Sequence, residues 1–428
     1  VKNIRTVALR TAALGAIVIA LAACGSNNNK TANNANKPAS AAATQAAPAT
    51  AASATRAATP AAATTSAAAA SAAAATPSGP AKTVKIGAAF SLTGAAAQYG
   101  ATQKNGAQLA VDEINASNYV PGVKIDLIVD DDASAKDQAI NVFQQFINSD
   151  KVAAILGPTL SNSALAADPI AQQAKVPVLG VSNTGEGITT IGDYIFRDSL
   201  AEADVVPQTV QVSLQKLNYK TAAVMYANDD AFSKAGYNAF KGALDKNNVK
   251  IVDTETFSTN DKDFSAQLTN VKNAKPDVIV VSALLDPAVG IATQARKLGL
   301  TQPIIGGNGF NSPAFIKNAG DAAEGVIVGA AWNSASDNPL SKKFIQAYQA
   351  KYGSPPDQFA AQAYTGVYIL AEAMKLANST DREGIRSGLL KIKDFPTVLG
   401  TFNFTPGRDA QHQAVIQIVK NGQFVPLQ

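Results

Sequence analysis

The chain of 428 residues is poor in the side chains that do most enzymatic chemistry. It holds one cysteine, one histidine, one tryptophan and two methionines. A single cysteine, Cys24, excludes an internal disulfide and leaves no second thiol for a structural zinc site. A thiol nucleophile also needs a base, and the lone histidine, His412, lies close to the C-terminus. No His/Cys metal cluster can be assembled from such an inventory. The phosphate-loop signature GK[ST] is missing. GVSNT, from Gly180 to Thr184, has Thr where a nucleophile elbow needs its last glycine. GGNG, from Gly306 to Gly309, lacks the third glycine of a dinucleotide fingerprint and the helix that should follow at once. The sequence therefore points away from an enzyme and implies no cofactor.

Acidic residues are missing from the first part of the chain. Before Lys82 there are six basic side chains and no Asp or Glu, so the formal charge of +4 belongs to that segment. The rest carries 30 basic against 32 acidic groups. A slightly acidic body without a basic patch argues against nucleic acid as a partner. Asp130-Asp131-Asp132 is the strongest acidic cluster. A hard cation is conceivable there; the acids also suit the end of a strand and the start of the next helix.

What is present begins with Lys2, Arg5 and Arg10, followed by the apolar segment TAALGAIVIALAA. That segment is short for a bilayer span and reads as an export signal. Its end, Leu21-Ala22-Ala23-Cys24, resembles the lipobox of bacterial lipoproteins, which implies a signal peptide over 1–23 and lipidation of Cys24. Several acyl chains at one N-terminus anchor firmly, where one chain binds only marginally. From 24 to 81 the sequence is Ala, Thr, Ser, Asn and Pro with hardly a large apolar side chain. Such a segment cannot offset its ordering entropy. It is expected to be a disordered tether with a span of about 40 Å.

At Lys82 the texture changes. TVKIGAAF, KIDLIVD, VAAILG and VPVLGV read as strands, and YGATQKNGAQLAVDEIN, QAINVFQQFI and SALAADPIAQQA as helices between them. The alternation restarts with TAAVMYA and continues through KIVDTETF, DVIVVSA, PIIGG and GVIVGAAW, then a helical region over about Leu340–Lys393 and strands around TFNF and AVIQIVK. Strands and helices in this rhythm predict parallel sheets covered on both faces. The length is too great for one core, so two α/β lobes are expected. Two polar turns stand out. VAAILGP runs into Thr159-Leu160-Ser161-Asn162-Ser163 at a helix start, and VPVLG runs into Ser182-Asn183-Thr184-Gly185. Free N–H groups, hydroxyls and a helix dipole at strand C-termini suit a carboxylate.

The segments VKIGAAFSLTGAAAQYG, NGAQLAVDEIN, VDDDASAKDQA, VAAILGP, VPVLGVSNT, YIFRD, DFSAQL, TQARKLG and DAAEGVIVGAAW together resemble the periplasmic leucine/isoleucine/valine-binding proteins. These are the branched-chain amino-acid receptors of ABC transporters, with the type I periplasmic binding protein fold. The resemblance spans nearly the whole region after the tether. It implies two Rossmann-like lobes joined by three hinge crossings, near Leu200, Trp332 and Leu399. Lobe I would comprise 82–200 and 333–398, and lobe II 201–332 and 399–428. It further implies that Ser161 and Thr184 hold a ligand carboxylate, and that the carbonyl of Ser182 and hydroxyl of Thr184 face an ammonium. Tyr99 would cover the ligand from lobe I and Phe232 from lobe II, with Leu285 making the second-lobe wall more aliphatic. The family's acid toward the ammonium is replaced by Asn308. Asp286 or Asp230 would then substitute, or the ligand is an amide, urea or aromatic carboxylate; Asp286 can also simply start a helix ahead of Pro287. The function implied is a lipid-anchored, extracytoplasmic receptor that delivers an amino acid or related carboxylate to an ABC permease. The rival is a non-transport lipoprotein on the same fold, sensory or activating a cell-wall enzyme.

Overall fold

The structure, a computed structural model, describes residues 81–427. The expected signal peptide, the lipidated Cys24 and the tether lie outside the described residues. The first lobe is built from β1 (Lys82–Phe90), α1 (Ala97–Ser117), β2 (Val123–Asp131), α2 (Lys136–Gln145), β3 (Ala154–Leu156), α3 (Ser161–Gln173), β4 (Val178–Gly180) and β5 (Ile195–Arg197). Its five strands run in the order β2-β1-β3-β4-β5, all parallel. The inner strands are apolar runs because helices cover both faces, so no polar face is left to alternate. In β3 and β4 every residue is buried.

The second lobe begins with α4 (Glu202–Leu217) and continues through β6 (Thr221–Ala227), α5 (Ala231–Lys246), β7 (Lys250–Phe257), α6 (Ser265–Ala274), β8 (Val278–Ser282), α7 (Leu285–Lys297), β9 (Ile304–Gly306), α8 (Pro313–Ala319) and β10 (Ile327–Ala330). The chain then returns to the first lobe as α9 (Pro339–Tyr352), α10 (Gln358–Ala377) and α11 (Arg382–Leu389). Helix α10, buried along most of its length, packs with α1 over the first sheet. A small antiparallel sheet of β11 (Phe395–Thr397), β12 (Gly400–Phe404) and β13 (Ala410–Gln411) follows. Two last strands, β14 (Val415–Lys420) and β15 (Gln423–Pro426), complete the second sheet. That sheet has the order β15-β14-β10-β9-β8-β6-β7, parallel except for its β14–β15 edge.

The third crossing departs from expectation. Val398, Leu399, Phe402, Ala410 and Ala414 are buried in the first lobe's core. The Arg197 backbone N–H donates to the Arg408 carbonyl, and the Arg197 guanidinium pairs with Asp409 at 2.5 Å. Residues 399–414 therefore stay with the first lobe, and the crossing falls between Ala414 and Val415, not near Leu399. The physical reason is the tight return at Gly400 (φ +105°), which folds β12 back onto β11 and buries Phe402.

In both sheets the strand order reverses at one point, β2-β1-β3 in the first and β7-β6-β8 in the second. Loops leaving strand C-termini there diverge to opposite faces and open a crevice. The two crevices face each other.

Candidate functional site

Between the lobes lies a cavity lined by Tyr99, Leu160, Ser161 and Ser182 from lobe I and Phe232, Leu284 and Asn308 from lobe II, with Thr159, Gly309 and Phe359 completing the wall. Most of these residues follow the C-terminal end of a strand. Ser161 opens α3, Ser182 follows β4, Phe232 follows β6, Leu284 follows β8 and Asn308 follows β9.

The lobe I wall is a hydrogen-bonded lattice. The Ser91 N–H donates to Thr159 Oγ1 (2.9 Å), which donates to Gln103 Oε1 (2.7 Å). Gln103 Nε2 donates to Ser182 Oγ (2.7 Å), and Ser182 donates to the Thr159 carbonyl (2.7 Å). These bonds fix the two polar turns relative to each other. Ser161 Oγ accepts the Gly185 N–H at 3.0 Å, so its own proton is available to a ligand. Gly185 is required here: a Cβ would lie 2.9 Å from Ser161 Oγ. Gly157, at φ +101°, lets the chain after β3 pass the Ala89 carbonyl, which a Cβ would meet at 2.2 Å. Helix α3 starts without a side-chain cap, so its first N–H groups add a partial positive charge beside the cavity.

From lobe I, Tyr99 reaches across. Its ring lies 4.4 Å from that of Phe359, and its Oη donates to the Gly309 carbonyl of lobe II at 2.7 Å. Burial pushes the phenol's pKa above its ordinary value. Asn162 makes a second bridge, accepting the Ala231 N–H at 3.0 Å. The remaining space is about 20 Å³, enough for about one water. A larger ligand therefore requires the lobes to part.

Of the expected residues, Tyr99, Ser161, Ser182, Phe232 and Asn308 line the cavity. Thr184 is buried beside it and donates to Glu202 Oε1 at 3.0 Å. Leu285 is buried in the lobe II core next to Leu284, which lines the cavity in its place. Asp286 is not brought in. It lies in the first turn of α7 with its side chain 57% exposed, 3.1 Å from Lys262; the apolar Leu284 and Leu285 take the inward positions. Asp230 caps α5, accepting from Ser233 N (2.9 Å) and Oγ (2.8 Å). Asn308 Oδ1 accepts from Gln358 (2.5 Å) and Asn311 (3.3 Å). Of the Asp130–Asp132 cluster, two acids serve the loop after β1: Asp131 accepts from Leu92 and Thr93, and Asp132 from Ser91 and Ser134, while Asp130 accepts from Gln145 of α2.

Two residues escaped the sequence reading. Gln103 is a buried amide on α1, with no local mark to separate it from its exposed neighbours. Glu202 opens α4 and is 2% exposed. Burial raises its pKa to about 7, against the Thr184 hydroxyl, the Arg197 charge and the Asn308 N–H, which favour ionisation.

Comparison with known proteins places this geometry. Residues 83–423 match the family model described as periplasmic binding protein. A Leu/Ile/Val-binding protein of Rhizobium johnstonii is 31% identical over 338 residues, covering 77% of this chain and 90% of that protein. The branched-chain amino acid transporter substrate binding protein of Streptococcus pneumoniae, solved in complex with isoleucine, is 33% identical with a TM-score of 0.76, covering 80% of this chain and 98% of that one. An ABC-transporter solute binding protein of Rhodopseudomonas palustris, in complex with 3,4-dihydroxybenzoic acid, is 26% identical with a TM-score of 0.73, covering 80% and 95%. Two lobes of parallel sheet clasping one cavity at their strand ends, with a family match over nearly the whole described region, make this chain a member of the periplasmic binding protein family.

Proposed function

We propose that the chain is the receptor of an ABC importer, held outside the cytoplasmic membrane by lipid on Cys24, and that it carries a branched-chain or related amino acid between its lobes to the permease. The observation that carries this reading is the composition of the cavity: hydroxyls and an uncapped helix start on one wall, apolar Phe232 and Leu284 on the other. A carboxylate fits the first and an aliphatic side chain the second. The ligand carboxylate is received by the Ser161 hydroxyl and the N–H groups of α3, with Thr184 beside them. Tyr99 closes over it. Contacts made only with both lobes favour the closed form, which the permease reads. The chemistry is binding, without turnover.

A second reading, an aromatic carboxylate as ligand, draws support from the R. palustris relative and from Asn308, whose amide carries no charge to meet an ammonium.

Thermal melting of the full chain in detergent against panels of amino acids and of benzoates tests both. A bound ligand stabilises by mass action, about 2.7 kcal/mol at a hundredfold excess over Kd. A rise in Tm with leucine, isoleucine or valine is expected. A rise only with benzoates establishes the second reading, and no rise with either panel favours a non-transport role for the fold.

A further inference from the structure

Among the described residues, Asn308 gives the cavity its one polar side chain from lobe II. Which end of its amide faces inward decides what a ligand must carry. The two ends of an amide are told apart by the groups they meet, and here backbone groups decide. The Ala331 N–H donates to Gln358 Oε1 at 2.8 Å, so Gln358 Nε2 points the other way and donates to Asn308 Oδ1 at 2.5 Å. Asn311 Nδ2 donates to the Gly329 carbonyl at 2.8 Å and to Asn308 Oδ1 at 3.3 Å. Asn311 Oδ1 accepts from Gln417 Nε2 at 2.7 Å, and Gln417 Oε1 accepts from Asn333 Nδ2 at 2.5 Å. The chain ends on a second backbone donor, the Ala335 N–H, which meets Asn333 Oδ1 at 2.7 Å. Gln358, Asn311, Gln417 and Asn333 are each at most 4% exposed, so a turned amide would set like groups against each other away from water. Both lone pairs of Asn308 Oδ1 are therefore occupied, and its Nδ2 is left to the cavity, with no acceptor for it among the described residues.

Most other side-chain groups at the cavity are engaged. The Thr159 and Ser182 hydroxyls donate within the lobe I lattice, and Tyr99 Oη donates to the Gly309 carbonyl. The Thr184 hydroxyl donates to Glu202, which is 2% exposed and lies behind the wall. A carboxylate is placed at the Ser161 hydroxyl and the start of α3, and an aliphatic chain against Phe232 and Leu284. The Asn308 N–H is then the side-chain group left for the substituent on the carbon next to the carboxylate. An ammonium there would meet a donor, whereas a carbonyl oxygen would complete the amide's bonding.

From this arrangement we infer that Asn308 is a specificity residue that donates to the ligand, and that the cavity takes a branched 2-oxo acid ahead of the corresponding amino acid. Gln358 and Asn311 are its positioning residues. The inference rests on the receptor reading, with a branched carboxylate between the lobes, and goes beyond it in the group on carbon 2.

The test is calorimetric titration of the full chain in detergent with 4-methyl-2-oxopentanoate, leucine and 4-methylpentanoate, which share one carbon skeleton and differ only at carbon 2. Wild type is expected to bind the oxo acid about tenfold more tightly than either of the others. In N308D, Oδ1 can still receive Gln358 and Asn311 while a carboxylate oxygen replaces the inward N–H, so the order should reverse and put leucine ahead. Q358M, at a residue outside the cavity wall, should narrow the wild-type preference because the Asn308 amide is freed to turn. Leucine bound more tightly than the oxo acid by wild type overturns the inference without reference to any variant's folding. The amino-acid reading then stands, with the ammonium on another group. Equal affinities for the oxo and unsubstituted acids overturn it too, as does an N308D protein that keeps the wild-type order. A Q358M preference as wide as that of wild type overturns the positioning role. If wild type binds none of the three, the inference and the branched-chain reading fall together.

Discussion

Replacing Tyr99 by Phe removes one oxygen from a place where the two lobes touch. In the structure Tyr99 Oη donates to the Gly309 carbonyl at 2.7 Å, inside a wall from which solvent is excluded. With the lobes apart, both groups return to water, so the bond counts only toward closure. A buried hydrogen bond contributes about 1 kcal/mol net, and stranding its acceptor brings the loss to about 2 kcal/mol. The closed state of Tyr99→Phe should therefore lose about 1–2 kcal/mol relative to the open state. Apparent affinity depends on the population able to close around the ligand, so Kd should rise roughly 5- to 30-fold. The ring is retained against Phe359 in the apolar cluster the two residues share with lobe II, so the lobe I core is untouched and Tm without ligand should stay close to wild type. Since the missing bond joins protein to protein, the penalty should be similar for leucine, isoleucine and valine. Calorimetric titration gives Kd, and small-angle scattering gives the change in radius of gyration on saturation. A Kd within twofold of wild type would refute the argument that this contact helps hold the lobes together. A penalty confined to one ligand would show that the hydroxyl acts on that ligand instead.

Other outcomes follow from the same geometry. Gly185→Ala pushes a methyl group against Ser161 Oγ, 2.9 Å from the ideal Cβ, and should weaken ligand binding at least tenfold while secondary structure by circular dichroism is unchanged. Glu202 has its pKa raised by burial from 4.5 to about 7, so between those values the native state holds a proton that the unfolded chain releases. Stability from this group is present below about pH 4.5 and is lost as pH rises toward 7, by about 3 kcal/mol. The groups that bear on it are Thr184, Arg197, the Asn308 N–H and Asp230. Urea unfolding at pH 5 and pH 7.5 should show this decline in wild type and a smaller one in Glu202→Gln; parallel slopes would contradict it. Cys24→Ser should move the protein from the detergent to the aqueous phase in a phase-partition assay, if lipid on that residue is the anchor.

Several features of the fold can be read in the sequence because a single physical cause acts locally. Parallel strands covered on both faces must be apolar throughout, and VAAILG and VPVLG declare themselves on that ground. Ser161 and Ser182 could be singled out because polar turns after such strands gather at the switch points, whereas Asn308 came only with what the family resemblance implies. Glu202 could not. An acid in the first turn of an amphipathic helix, two residues before Asp204, is what the helix dipole alone would favour, and only the packing of the second lobe buries the first acid. Asp286 failed for the opposite reason: an acid at a similar helix start stays in solvent because two leucines precede it and face inward. The misplaced third crossing is tertiary as well. TFNF is a credible strand in either lobe, and its partner is decided by a turn at Gly400 and by the room that Phe402 finds in the first core.

The path of the last crossing has a practical consequence. Lys82 lies in the first strand of one sheet, and Pro426 in the edge hairpin of the other. A donor dye at the first position and an acceptor dye at the last would sit on opposite jaws, so energy transfer between them would track jaw separation directly. Placing the acceptor on β12 would give a silent control, because that strand travels with the donor.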